Sequence, residues 1–278
     1  MEESKTSLNL TSQDLDNGVG IINGFIVYLV LINVMCVFSI LANSFVLFLI
    51  LATKKLRRVQ NVFVSLLAFA DASSSLFIIL VYTLSFNLFV VYMLNVCLVL
   101  SHCSIACIAI DRYIALVWAP MKYHLIVTKK TCTIAVITVI IFKAVFIALA
   151  EGSTFILAMS TMVYMILNTT LYITIYKTIC NNKDCVLSTQ KLKKGKKMLI
   201  TFCVIVLVFD ITNGLTVLIH SVGLIFVAST DDATTHFLLY YISFCLMSVN
   251  ALVNPIIYWF RLTEFRKAAK EMACIQVG

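Results

Sequence analysis

The sequence predicts an all-α membrane protein, a seven-transmembrane helix bundle closed by a short amphipathic cytosolic helix 8. Three observations carry that expectation. Apolar windows of membrane-spanning length recur along almost the whole chain, little charge lies within them, and lysine and arginine gather on alternate connections. Of 278 residues 62% are hydrophobic and 12% charged, against roughly one quarter charged in soluble domains. Lipid offers no partner to a bare backbone amide, so each window must satisfy its own hydrogen bonds, which selects helices. The runs are too long for barrel strands. The polar sequence left over is too short for a soluble module, and the chain divides into a 1–21 extracellular tail, a 22–260 bundle and a 261–278 amphipathic helix with its C-terminus.

Hydropathy places the spans near 22–52, 60–86, 88–118, 130–150, 153–180, 197–227 and 235–260. The stretch before the first span is polar through Asn17 and has no basic-then-apolar signal peptide, so that span is expected to direct its own insertion. Lys54, Lys55, Arg57 and Arg58 follow it. Asn87 is nearly all that separates spans two and three, and Glu151, Gly152 and Ser153 separate four and five, which leaves the outer face bare. Lys122, Lys129 and Lys130 follow the third span, and seven lysines between 177 and 197 follow the fifth. Residues 181–194 have loop composition, with Gly195 just beyond. After the last span, 263–273 alternates apolar and basic residues with the spacing of a helix lying in the membrane interface. Cys274 at its end suits either acylation or a free thiol.

With seven spans all these basic groups fall on one side. The positive-inside rule puts that side in the cytosol and the N-terminus outside. The net charge of +8 then faces anionic membrane lipid, not nucleic acid. None of the ten cysteines falls in an outer loop, so no extracellular disulfide is expected. Asn9-Leu10-Thr11 is a glycosylation sequon on the outside, whereas Asn168-Thr169-Thr170 sits within a span, beyond the reach of the modifying enzyme. The sequence has no internal repeat, which removes support for an inverted-repeat transporter. It has two prolines, Pro120 in a connection and Pro255 in the last span.

An ionisable side chain at membrane depth is costly unless it faces the bundle interior and finds partners. Asp71, Asp210 and Lys143 are such residues. Asn43, Ser101, Asn250 and Asn254 lie at depths that converge on Asp71. A carboxylate with hydroxyl and amide oxygens suits a small hard cation such as sodium, and it equally suits a water-filled hydrogen-bond network. Asp111-Arg112-Tyr113 sets an obligate cation beside a carboxylate at the membrane edge, which serves a switch or a snorkelling arginine with its counter-ion. Asn250 and Asn254 precede Pro255 by one helical turn and one residue, and Tyr258 follows it. Such a stretch is able to bend and repack, or simply to kink.

In this order, these motifs resemble the rhodopsin-like (class A) G-protein-coupled receptors from Asn43 to Cys274. They comprise Asn43, Leu67-Ala68-Phe69-Ala70-Asp71, Ser101, Asp111-Arg112-Tyr113, Tyr172-Ile173-Thr174-Ile175 and Asn254-Pro255-Ile256-Ile257-Tyr258. Tyr123-His124-Leu125-Ile126-Val127-Thr128-Lys129-Lys130 is similar to the second cytosolic loop of melanocortin receptors, and Phe260-Arg261-Leu262-Thr263-Glu264-Phe265-Arg266-Lys267 to the tail of adenosine and melanocortin receptors. The bare outer face and Tyr164, where relatives place a proline, resemble the melanocortin branch. The resemblance implies a receptor coupled to a heterotrimeric G protein. Arg112, held by Asp111 at rest, would pass to Tyr172 and Tyr258 when span six swings outward. Asp71, Ser101, Asn250, Asn254 and Asn43 would form a sodium pocket favouring the resting state, with no other cofactor.

Span six departs from the family pattern. Phe209 is followed by Asp210-Ile211-Thr212-Asn213-Gly214-Leu215, with Asn213 at the family's tryptophan position and Leu215 at its proline position. Gly214 is the residue available to loosen the helix there. The base of that span reads Lys193-Lys194-Gly195-Lys196-Lys197, without the acidic partner some relatives offer Arg112, so appreciable ligand-free signalling is expected. The recognition residues of melanocortin, adenosine, amine and opsin relatives are absent. Lys143, Glu151 and His220 mark the candidate pocket for an unidentified small-molecule, lipid or peptide ligand, with Lys143 snorkelling toward Glu151 as the plainer role. No nucleophile with an oriented base, metal cluster or phosphate loop points to an enzyme. A transporter or channel using Asp71 and Asp210, and a non-signalling heptahelical accessory protein, are the alternative classes.

Overall fold

Apolar runs that cannot end inside lipid form helices with internally paired backbones. The computed structural model describes residues 12–84, 87–119, 121–149, 154–181, 189–230, 233–261 and 263–275. Their long helices are α1 (Ser12–Ala52), α2 (Val62–Thr83), α3 (Leu88–Tyr113), α4 (Lys129–Leu149), α5 (Thr154–Asn181), α6 (Thr189–Thr230) and α7 (Ala233–Arg261), followed by α8 (Thr263–Ile275). Among the described residues, Gly24–Ala52, Val62–Thr83, Leu88–Tyr113, Cys203–Gly223 and Tyr241–Phe260 are by themselves long and apolar enough to cross a membrane. With α4 and α5 between the third and fourth of these, the chain is a seven-helix membrane bundle.

Local chemistry sets the helix ends. The Asn87 side chain accepts the Phe89 amide at 2.9 Å and caps α3. Thr128 and Thr131 cap α4 reciprocally, since each hydroxyl accepts the other's backbone N–H, at 3.2 and 2.9 Å. At the end of α3 the chain widens into a π-turn over Ile114–Trp118, closed by Ala119 N–H to Ile114 C=O at 3.1 Å.

Two helices outrun their expected spans. α1 begins at Ser12, ahead of the apolar stretch. α6 begins at Thr189, so residues 189–194 lie on a helical extension and not in the expected loop. Lysine, leucine and glutamine are good helix formers, and a single Gly195 costs about 1 kcal/mol, too little to end a helix of this length.

The helices close a ring in which α1 packs on α2 and α7, α2 on α3, α3 on α5, α5 on α6 and α6 on α7, with α4 set against α3. Gly223 lets α6 approach α7 closely, since a Cβ there would meet Leu239 Cδ1 at 2.8 Å. Phe38, Leu41, Phe48, Ile166, Leu207 and Leu218 point outward, as a lipid-facing surface requires. Inside, one apolar cluster gathers Ile32, Cys36, Ile78, Val81, Val90, Leu94, Tyr241 and Phe244. A second and larger one includes Leu56, Phe63, Leu67, Ile105, Tyr172, Ile205, Phe209, Tyr258 and Phe265. It lies at what is here termed the basic end, with the α1–α2 turn and α8.

α8 is amphipathic, as its sequence predicts, but its apolar face enters the protein. Phe265 and Ala268 are buried, and the Phe265 ring stacks on Tyr258 with centroids 6.0 Å apart. Lys55 to Glu271 at 2.8 Å and Arg58 to Glu264 at 3.8 Å hold its polar side against the α1–α2 turn.

Candidate functional site

Pro255 organises the middle of the bundle. Its ring nitrogen has no hydrogen to give the carbonyl four residues earlier, which is that of Ala251. Asn43 Nδ2 on α1 donates to that carbonyl at 2.9 Å and to Ser39 C=O at 3.0 Å. The carbonyl that proline leaves free on α7 is thereby tied to α1 by a buried amide.

Asp71, 2% exposed, stands at the centre. Its carboxylate accepts from Ser101 Oγ on α3 at 2.8 Å and from Asn254 Nδ2 on α7 at 2.7 Å, which joins three helices through one side chain. Its backbone carbonyl accepts from Ser74 and Ser75 at 3.0 and 2.8 Å, and Ser75 Oγ lies 2.8 Å from Ser39 Oγ. Of the five residues the sequence groups here, Ser101 and Asn254 bond the Asp71 carboxylate directly, and Asn43 connects through Ser39 and Ser75. Asn250 is buried one turn before Asn254, and its Oδ1 has no hydrogen-bond partner among the described residues.

A second polar group sits on α6. His102 Nε2 lies 3.2 Å from Asn213 Oδ1, and because that oxygen only accepts, the imidazole nitrogen is the donor. Asn213 Nδ2 donates to Phe209 C=O at 2.9 Å, and the His102 ring meets the fully buried Phe209 ring edge-on at 4.8 Å. Next to Phe209, Asp210 accepts from Thr169 on α5. His102 escapes a reading of the sequence that searches for charge at depth, because a neutral imidazole in an apolar helix carries no such mark. The signal available is the amide of Asn213, which the sequence places at the family's tryptophan position but without a partner, at matching depth across the bundle.

At the basic end Arg112 and Asp111 form a buried ion pair. Tyr123 OH, beyond the π-turn, donates to Asp111 Oδ1 at 2.6 Å. Burial first, then this hydrogen bond, hold the Tyr123 phenol above its ordinary value, so it remains a donor at physiological pH. Tyr172 on α5 lies within electrostatic range of Arg112 and Asp111, and Tyr258 on α7 within range of Tyr172 and Asp71. Both tyrosine hydroxyls are buried with no hydrogen-bond partner among the described residues. Tyr113 is half-buried against the larger apolar cluster.

Asn9 and Glu151 lie outside the described residues, and so do the side chains of Lys143, His220 and Cys274. The ligand-pocket, glycosylation and lipidation expectations fall there.

The bundle and its buried polar spine thus define a heptahelical membrane protein with a buried arginine–aspartate pair at one end. Residues 42–151, from the last quarter of α1 to just past α4, match the family described as 7 transmembrane receptor (rhodopsin family). This stretch is less than half the chain and contains Asn43, Asp71, Ser101, Asp111 and Arg112.

Proposed function

We propose that this chain is a G-protein-coupled receptor of the rhodopsin-like class, resting in the conformation described and activating a heterotrimeric G protein at its basic end. The observation that carries the reading is the setting of Arg112. It is paired with Asp111, which Tyr123 steadies, while the buried hydroxyls of Tyr172 and Tyr258 have no described partner. Two alternative contacts for one arginine are what a two-state element needs. Outward movement of the basic end of α6 would expose that arginine and the surrounding cleft to the G protein. The basic residues at that end support a cytosolic placement in the plasma membrane, with anionic lipid around it.

The Asp71 cluster fits a sodium ion. A carboxylate, the Ser101 hydroxyl and an Asn250 oxygen with no described partner are hard oxygen donors, and Asp71, Ser101 and Asn250 would hold the ion. The ion would supply a positive charge that offsets the buried carboxylate. This chain's own part is to bring α2, α3 and α7 together at Asp71. Lys143, Glu151 and His220 remain the candidates for contact with a lipid, small-molecule or peptide ligand.

Ligand-free nucleotide exchange on purified heterotrimers, in membranes with matched surface expression, tests the reading. The wild type should exceed membranes lacking the protein, and Arg112→Ala should return to their level. Exchange unaffected by Arg112→Ala, or absent with every heterotrimer class, overturns it.

A further inference from the structure

We propose that α6 is held in this conformation by a two-sided polar clamp at its midpoint, His102–Asn213 to α3 and Thr169–Asp210 to α5, and that opening the clamp frees its basic half. The two anchors are three residues apart on α6, almost one helical turn, and reach two different helices. Phe209, fully buried and adjacent to Asp210 in the chain, touches the His102 ring. At this height α6 also packs tightly on α5, since a Cβ on Gly214 would stand 3.3 Å from Met165 Cε.

The clamp is strong enough to hold and weak enough to open. Hydrogen bonds between membrane helices average about 0.6 kcal/mol, because an opened polar group finds other partners within the bundle. The Asp210–Thr169 anchor has such alternatives at hand. Asp210 Oδ1 is buried with no partner among the described residues, Asn168 Nδ2 beside Thr169 is likewise, and Asn213 already shares its amide with Phe209 C=O. A purely apolar contact at this height would offer no second set of bonds. The polar pairs give α6 two arrangements of similar energy, which is the condition for a reversible switch.

The inference rests on the receptor reading only for its signalling consequence, so its test reads α6 directly. Cys203 sits on α6 toward the basic end, half-buried beside Tyr172, while Cys36 on α1 and Cys97 on α3 are buried. These native thiols report local opening in the full chain, reconstituted in lipid nanodiscs and alkylated with N-ethylmaleimide. Site-resolved mass spectrometry gives each rate, which follows the open population when reclosing is fast. His102→Leu and Asp210→Leu should each speed Cys203 alkylation about threefold, and the double variant about eightfold, from the average bond strength. Cys36 and Cys97 should not change. Leucine fills each site with an apolar side chain that lipid tolerates, and His102→Gln and Asp210→Asn, which keep a donor and an acceptor, should restore the wild-type rate.

An unchanged Cys203 rate overturns the clamp. So does a parallel rise at Cys36 and Cys97, which marks general loosening, or equal acceleration by the glutamine and asparagine variants. A selective Cys203 response without any change in ligand-free G-protein exchange upholds the clamp and counts against the receptor reading instead.

Discussion

Replacing Tyr123 with phenylalanine removes one oxygen from a buried site and should raise ligand-free signalling. The lost bond is short, 2.6 Å, and its acceptor Asp111 is 3% exposed. A hydrogen bond to a charged group contributes about 1.5–3 kcal/mol, and an acceptor left buried without its donor puts the loss toward the upper part of that range. Asp111 retains Arg112, so the ion pair survives in a weaker setting. If the Tyr123 bond belongs to the resting arrangement alone, its removal shifts the balance toward released Arg112 by roughly tenfold for each 1.4 kcal/mol. The assay is nucleotide exchange without ligand, at matched surface expression, for wild type, Tyr123→Phe and Arg112→Ala. The expected order places Tyr123→Phe above wild type and Arg112→Ala below both. General destabilisation would lower exchange together with expression, so the sign separates the two causes. Unchanged exchange with an unchanged melting midpoint would refute the reasoning, because the phenol would then contribute nothing to the resting state.

Three other outcomes follow from the geometry. Sodium, compared with the bulky organic cation N-methylglucamine at equal ionic strength, should raise the melting midpoint of the detergent-solubilised chain. Asp71→Asn should abolish that rise, and a rise of equal size in the variant would remove the ion from the site. Phe265→Ala deletes a buried ring stacked on Tyr258 and should cost about 3–5 kcal/mol, read as a lower midpoint and as protease cleavage within α8. By contrast, Lys55→Glu breaks an exposed ion pair and should cost less than about 1 kcal/mol, with Glu271→Lys added to it recovering most of the loss, as a thermal double-mutant cycle would show.

Much of the bundle was legible because lipid imposes one solution on an apolar run, and hydropathy therefore finds the helices. Their ends were less legible. Nothing in a hydropathy window tells where a helix that has left the membrane will stop, so the extensions of α1 and α6 were missed. The polar spine was legible as a set of depths: Asp71, Ser101 and Asn254 do meet. Which amide takes which oxygen was not. Asn43 and Asn250 have the same side chain and group alike in the sequence, yet only Asn43 is described donating to the carbonyl that Pro255 frees, while the oxygens of both have no described partner. That difference depends on the rotation of α1 relative to α7, which spacing along either helix does not contain. His102 was missed because a neutral histidine costs little where a carboxylate costs much.

The distribution of unsatisfied groups indicates where this molecule is able to change shape. The half of the bundle away from the basic end is closed by apolar side chains and stacked rings, with Tyr82 against Tyr241 at 5.4 Å and edge-on to Phe244 at 5.6 Å. Close-packed rings resist partial displacement, because small separations already forfeit much of their attraction. Among the described residues, most of the buried polar atoms that lack a described hydrogen-bond partner, on Asn43, Asn250, Asn168, Asp210, Tyr172 and Tyr258, belong to the middle and the basic end. Each is costly as it stands, and each becomes a stabilising contact in any arrangement that supplies a partner. A motion that leaves the ring cluster intact and rearranges the polar groups therefore meets the smaller barrier. On the proposed receptor reading, the end carrying Arg112 is then the one expected to rearrange, and the aromatic end is the frame against which α6 would move.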